Sequence, residues 1–128
     1  MDTQFTPGKF SWCELLTNDV AAAKQFYGQL FGWSLEDRPM EGMTYTVASV
    51  AGAPVGGIMA QPPGREAMPP QWGCYVTVED VDATARQAEA LGGRVLLPPM
   101  DIPGVGRFCV LQDPQGAVIS AITYVPMP

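Results

Sequence analysis

Apolar and polar positions change their spacing several times along the chain. Over residues 10–16 they alternate, with Trp12, Glu14 and Leu16 on one side and Cys13 and Leu15 on the other, which predicts a strand. From Val20 onward the spacing lengthens to three and four residues, through Ala23, Phe26, Tyr27, Leu30 and Phe31. That period predicts a helix burying one stripe, with Phe26, Tyr27, Phe31 and the following Trp33 in the helix–sheet core. Asn18 or Asp19 can cap it, because their side-chain oxygens accept the free amide hydrogens of a first turn, and Gly32 ends it. Strands are then expected at residues 33–37, 43–50 and 55–60, separated by turns at 39–42 and 51–54. The result is one βαβββ module.

The pattern then returns. Laying Asp19 on Asp80, a shift of 61, matches Cys13 to Cys74, Val20 to Val81 and Leu30 to Leu91. A second echo, shifted by 64, lays residues 52–58 on 116–122. The second copy predicts a strand at 71–78, a helix at 81–91 capped by Asp80, and strands at 94–97, 105–111 and 117–124. A loop is expected at 98–104, and Asp113-Pro114-Gln115-Gly116 has turn chemistry: proline presets the backbone angle and glycine takes the positive-φ position. Between the copies, residues 61–70 (QPPGREAMPP) hold four prolines, which disfavour a helix or a central strand. The organisation expected is a single domain over 1–128: a leader over 1–8, module one at 9–61, a linker at 61–70 and module two at 71–125. Whatever the chain does is expected between the copies.

Composition narrows the function. A chain of 128 residues has room for one proper core, and an apolar fraction of 47% with 16% charged residues suits a compact soluble protein. The net charge of −6, with no basic cluster, argues against nucleic acid and anionic membrane as partners. No apolar run approaches membrane-spanning length and residues 1–10 do not read as a signal peptide, so a cytoplasmic location is expected. Three widely spaced cysteines fit reduced thiols, with Cys13 and Cys74 as small core fillers facing the helices. Histidine is absent.

Three stretches, NDVAAAKQFYGQLFGW (18–33), VEDVDATARQAEALGGRV (78–95) and LQDPQGAVISAI (111–122), resemble the glyoxalase/bleomycin-resistance/extradiol-dioxygenase superfamily, also called vicinal oxygen chelate proteins. The resemblance covers roughly residues 9–125. It implies an α+β fold, tandem βαβββ modules forming a curled mixed sheet whose cup holds the ligand, within one chain or across a homodimer. Such enzymes commonly hold a divalent metal in the cup through histidines, glutamates or a glutamine. Counting seven residues back from each capping aspartate places the corresponding positions at Trp12 and Gly73. Counting four residues past the turn glycines places the others at Gly56 and Ser120. None of these supplies an imidazole, carboxylate or thiolate, so no metal and no cofactor is expected.

The same register directs Trp12 and Glu14, then Gly73, Tyr75 and Thr77, then Val118, Ser120 and Ile122 toward the cup. An acid within an apolar strand must find a partner, reach water or keep its proton. Glu14 is therefore the candidate for fixing a ligand's donor group or acting as a general base, against a plain pairing with Arg107 or Arg94. Trp12 offers an apolar wall and Tyr75 a hydrogen-bond donor, while Gly56 and Gly73 leave space; Tyr45, Phe108 and Ser120 complete the candidate ligand-binding set. The leading expectation is a metal-free protein that binds a small organic molecule. Two alternatives stand: a lyase or isomerase using Glu14 with Tyr75, and an interaction subunit whose cup is vestigial.

Overall fold

The computed structural model describes residues 6–40, 43–61, 64, 66–102 and 105–125. The start of the expected leader, Glu41 and Gly42 of the first turn, Pro62, Pro63 and Arg65 of the linker, and Pro103 and Gly104 lie outside the described residues. The element order is β1 (Phe10–Thr17), α1 (Val20–Phe31), β2 (Ser34–Met40), β3 (Met43–Val50), β4 (Ala53–Ala60), β5 (Gln71–Thr77), α2 (Val81–Ala90), β6 (Arg94–Ile102), β7 (Gly106–Gln112) and β8 (Val118–Tyr124). This is the βαβββ pattern twice, an α+β fold. The chain forms two compact units, Trp12–Gly73 and a second made of Met1–Ser11 with Cys74–Pro128.

In the first unit the strand order is β2-β3-β4-β1. The sheet is mixed: β1 runs parallel to β4, whereas β2–β3 and β3–β4 are antiparallel. Ala51 and Gly52 both take positive φ, 51° and 81°, the conformation a tight β3–β4 hairpin requires. Leu15, Thr46, Ala48 and Ile58 are buried. Lys24 of α1 reaches both carboxylate oxygens of Asp37 at 2.9 Å, and Thr46 Oγ1 donates to Asp37 Oδ1 at 2.7 Å. These bonds hold the Asp37 carboxyl below the usual carboxylate range.

The second unit has the order β5-β8-β7-β6, with β5 parallel to β8 and the other pairs antiparallel. Val81 and Ala85 of α2 pack with Cys109, Leu111 and Ala121 into its core. Burial raises the Cys109 thiol's pKa, so it stays protonated as an inert core residue. The segment ahead of β1 runs with this unit: Gly8 N donates to Thr77 O at 2.8 Å, Thr77 N donates to Lys9 O at 2.9 Å, and the Ser11 and Tyr124 hydroxyls share a 2.7 Å hydrogen bond.

Both helices start as expected. Asp19 Oδ1 accepts from Ala22 N at 3.0 Å and Asp80 Oδ1 from Ala83 N at 3.1 Å, and Gly32 closes α1 in the left-handed conformation.

Three expectations are corrected. Residues 98–102 are not loop but continue β6, with register shifts between Val95 and Leu97 and between Leu97 and Met100. Pro98 and Pro99 are tolerated because β6 ends the unit's strand order and the shifts take up residues lacking an amide hydrogen. Cys13 and Cys74 are exposed, not core, because the buried part of each strand begins one residue later, at Tyr75 in β5, or two, at Leu15 in β1. Finally, α1 buries no residue fully, and Phe26, Leu30 and Phe31 are exposed. The side it turns to its sheet is the stripe of Val20, Ala23, Lys24, Tyr27 and Gly28, close enough that a Cβ on Gly28 would sit 3.3 Å from Leu35. Trp33 is half-buried beside this stripe.

Candidate functional site

Three of the sequence-selected residues meet in the first unit. Trp12 Nε1 donates to the Tyr45 hydroxyl at 2.7 Å, and that hydroxyl donates to Glu14 Oε1, also at 2.7 Å. Trp12 and Glu14 share one face of β1 because they are two residues apart, as the alternation requires. Tyr45 lies on β3, and β4 stands between β3 and β1 in the strand order. Its side chain must therefore cross an entire strand.

Gly57 makes that crossing possible. The register pairs Gly57 with Glu14 on one side and Val47 on the other, so its missing side chain would stand on the same face. A Cβ there would lie 2.5 Å from Tyr45 Cε1 and closer still to Cζ and Oη. The phenol occupies the space that every other residue's Cβ would fill. Chemically, the outcome is a carboxylate whose one oxygen is fixed by a neutral hydroxyl, itself fixed by an indole. A hydrogen-bonded chain of this kind pre-orients the carboxyl oxygen that accepts from it.

Gly56 does something else. A Cβ on Gly56 would stand 2.9 Å from the Cys13 carbonyl oxygen, so its smallness serves the close approach of β4 to β1 and leaves no room for a ligand there. Gly57, its neighbour, was missed by sequence reasoning; two consecutive glycines inside a strand were the available signal. At Gly73 a Cβ would meet nothing within 4 Å, so open space does lie beside that position.

In the second unit Tyr75 is buried, and its ring lies 6.2 Å from that of Phe108. Tyr75 pairs in register with Ser120, and Phe108 with Ile122, which puts all four on one face. The structure thus brings Tyr75, Phe108 and Ser120 together. Arg107 is held by Asp82 through two hydrogen bonds, 2.9 and 3.0 Å, and by Asp101 at 3.1 Å. The guanidinium keeps the Asp82 carboxyl below its ordinary range.

Trp12, Gly56, Gly73 and Ser120, the positions that counting from the caps and turns assigns to the usual metal ligands, do not fit a divalent metal. The indole nitrogen of Trp12 is a donor already used on Tyr45, the glycines bring no side chain, and Ser120 brings only a neutral hydroxyl. Among the described residues, no group of three or more His, Cys, Asp or Glu could hold a metal ion. No helix among the described residues is long and apolar enough to cross a membrane.

Two βαβββ units, each a mixed four-stranded sheet with one helix, define a paired-module α+β class of protein. Residues 9–120 match the model of the Glyoxalase/Bleomycin resistance protein/Dioxygenase superfamily, and the chain belongs to that family. It is 40% identical over 120 residues to CFP32 of Mycobacterium tuberculosis, named as a candidate glyoxylase, covering 91% of this chain and 46% of that protein. It is 37% identical over 131 residues to the anthracycline biosynthesis protein DnrV of Streptomyces peucetius, covering 92% and 48%. The chain thus spans about half the length of these relatives. Among solved structures, the methylmalonyl-CoA epimerase of M. tuberculosis superposes with a TM-score of 0.66 at 18% identity, over 98% of this chain and 93% of that one. The Streptomyces coelicolor epimerase gives 0.66 at 16% identity, over 94% and 100%. At these identities the likeness establishes the fold alone.

Proposed function

We propose that this protein binds a small organic molecule, without a metal, on the sheet face that carries Trp12, Tyr45 and Glu14, and that it works as a cytoplasmic homodimer. The observation that carries the reading is the Trp12–Tyr45–Glu14 chain. One hydrogen bond of 2.7 Å, from a hydroxyl that a second bond of 2.7 Å fixes in turn, holds one carboxyl oxygen of Glu14 in place, beside an indole that offers a flat apolar wall. A carboxylate beside an aromatic face suits a ligand with an aromatic body and a cationic or hydrogen-bond-donating group. A net charge of −6 favours the same class. The likeness to a protein named for anthracycline biosynthesis supports a small organic ligand over a macromolecule. Gly73, in the same unit as Trp12, Tyr45 and Glu14, leaves space for the ligand, and Tyr75, Phe108 and Ser120 are assigned to ligand contact on the second unit's own sheet face.

The test uses daunorubicin, an aromatic molecule bearing an amine, as the probe in calorimetric titrations, alongside a native mass spectrum of the gently purified protein. Saturable binding, weakened at least about tenfold by Glu14→Gln, is expected, since one charge-assisted hydrogen bond contributes about 1.5–3 kcal/mol. Equal affinity of the wild type and Glu14→Gln for a saturably bound probe overturns the role of Glu14. Steady conversion of a co-purified compound, abolished by Glu14→Gln with the fold intact, replaces binding with lyase or isomerase chemistry. No co-purified mass and no response to the probe leaves the interaction-subunit reading in its place.

A further inference from the structure

The two helices occupy equivalent places in the repeat yet present different outer surfaces. The exposed side of α2 carries Arg86, Gln87 and Glu89, the mixture usual for a solvated helix. The exposed side of α1 consists of Ala21, Ala22, Gln25, Phe26, Gln29, Leu30 and Phe31, without a charge. Its one charged side chain, Lys24, is tied to Asp37. Ring contacts continue the patch: Phe26 meets Tyr27 at 5.0 Å, Tyr27 meets Phe31 at 6.0 Å and Trp72 at 5.3 Å, and Trp33 meets Phe31 at 5.1 Å. Trp72 Nε1 also donates to the Tyr27 hydroxyl at 3.1 Å, which pins the outer tryptophan to the helix.

Size and charge both select what covers this face. Phe26, Leu30, Phe31 and Trp72 are exposed by 58%, 57%, 57% and 40%. With large apolar side chains of about 150–250 Å² each, the four present about 400 Å², within the range of the largest patch on a soluble protein, which is often functional. That is about half of what one partner contributes to a standard interface, before the flanking alanines and glutamines are added. A chain of net charge −6 repels its own copies except where the contact is free of charge, and this face is free of it. A two-fold contact places a patch against itself. Apolar rings satisfy that condition, and so do Gln25 and Gln29, whose amides each both donate and accept. The relatives, about twice as long, carry as much chain again beyond the matched segment, enough for one more unit pair of this size.

We infer that the aromatic face of α1, with Phe26, Leu30, Phe31 and Trp72 at its centre, docks a second copy of this chain. The inference rests on the homodimer reading and names its surface. Sedimentation equilibrium on the full chain, from low to high micromolar concentration, is the test, with amide exchange read over residues 21–31. Expected are a wild-type dimer, slower exchange in this helix as concentration rises, and at least about a hundredfold weaker association in Phe26→Glu/Phe31→Glu with unchanged far-ultraviolet circular dichroism. Glu89→Gln on α2 should leave association as it was. A wild type that stays monomeric overturns both the surface and the homodimer reading. A dimer whose α1 amides exchange at the same rate at every concentration overturns the surface and leaves the homodimer standing. Exchange on the wild type decides the question even if the double variant fails to fold, and daunorubicin binding by the wild type is measured separately.

Discussion

Replacing Gly57 with alanine should break the Trp12–Tyr45–Glu14 chain without touching any of its members. The new Cβ would stand 2.5 Å from Tyr45 Cε1 and nearer to Cζ and Oη, a separation no real pair of atoms tolerates. The phenol is the movable partner, so it must swing off β4. Doing so forfeits the bond from Trp12 and the bond to Glu14, each 2.7 Å. The first joins neutral groups and is worth about 1 kcal/mol; the second goes to a carboxylate and is worth about 2 kcal/mol. Loss of the ring's packing adds about 1 kcal/mol, and the alanine's smaller unfolded-state entropy returns about 0.5 kcal/mol. Gly57→Ala should therefore destabilise by about 3.5 kcal/mol, and Tyr45→Phe, which removes only the hydroxyl, by about 2–3 kcal/mol. Both variants lose the same two hydrogen bonds. The double variant should fall short of the sum of the singles by about 2–3 kcal/mol, the shared loss of the two hydrogen bonds. Urea unfolding followed by circular dichroism measures all four corners of this cycle. Additivity within about 0.5 kcal/mol would refute the reasoning, because it would mean that Gly57 does not act through the Tyr45 hydroxyl.

Two further outcomes follow from the packing. The depressed Asp37 and Asp82 carboxyls give stability that is present above the ordinary carboxylate pKa and is lost as pH falls through their lowered folded values; melting temperatures across the acid range should show a flatter acid limb in Asp37→Asn and Asp82→Asn, and curves parallel to wild type would contradict this. Ile58, 0% exposed between β1 and β3, should cost about 2–5 kcal/mol as Ile58→Ala in urea unfolding, whereas a loss under about 1 kcal/mol would mean that its surroundings collapse into the gap.

The legible parts of the site were those governed by alternation along one strand. Trp12 and Glu14 share a face because side chains two residues apart do, and Tyr75 and Ser120 were directed to the cup by counting from the Asp80 cap and the Gly116 turn. Tyr45 and Gly57 were different. Tyr45 entered as a candidate without a facing, and Gly57 did not enter at all, since its role depends on which residue two strands away reaches across it. The count from the turn selected Gly56, one position off, and a shift of one reverses the face of a strand residue.

By itself, then, the sequence determined the βαβββ repeat, the aspartate caps, the glycine stop of α1 and the family. All of these rest on interactions within a few residues, or on a pattern copied between the halves. Tertiary structure alone decided the rest. Proline-rich residues 98–102 could join a sheet only because β6 ends its strand order, where fewer amide hydrogens are needed. Cys13 and Cys74 became exposed because the covered part of each strand starts further along. Phe26, Leu30 and Phe31 have the spacing of a buried stripe, yet α1 rests on its sheet through Val20, Ala23, Tyr27 and Gly28. Periodicity says which residues share a side of a helix, and only the sheet beneath it decides which side is covered.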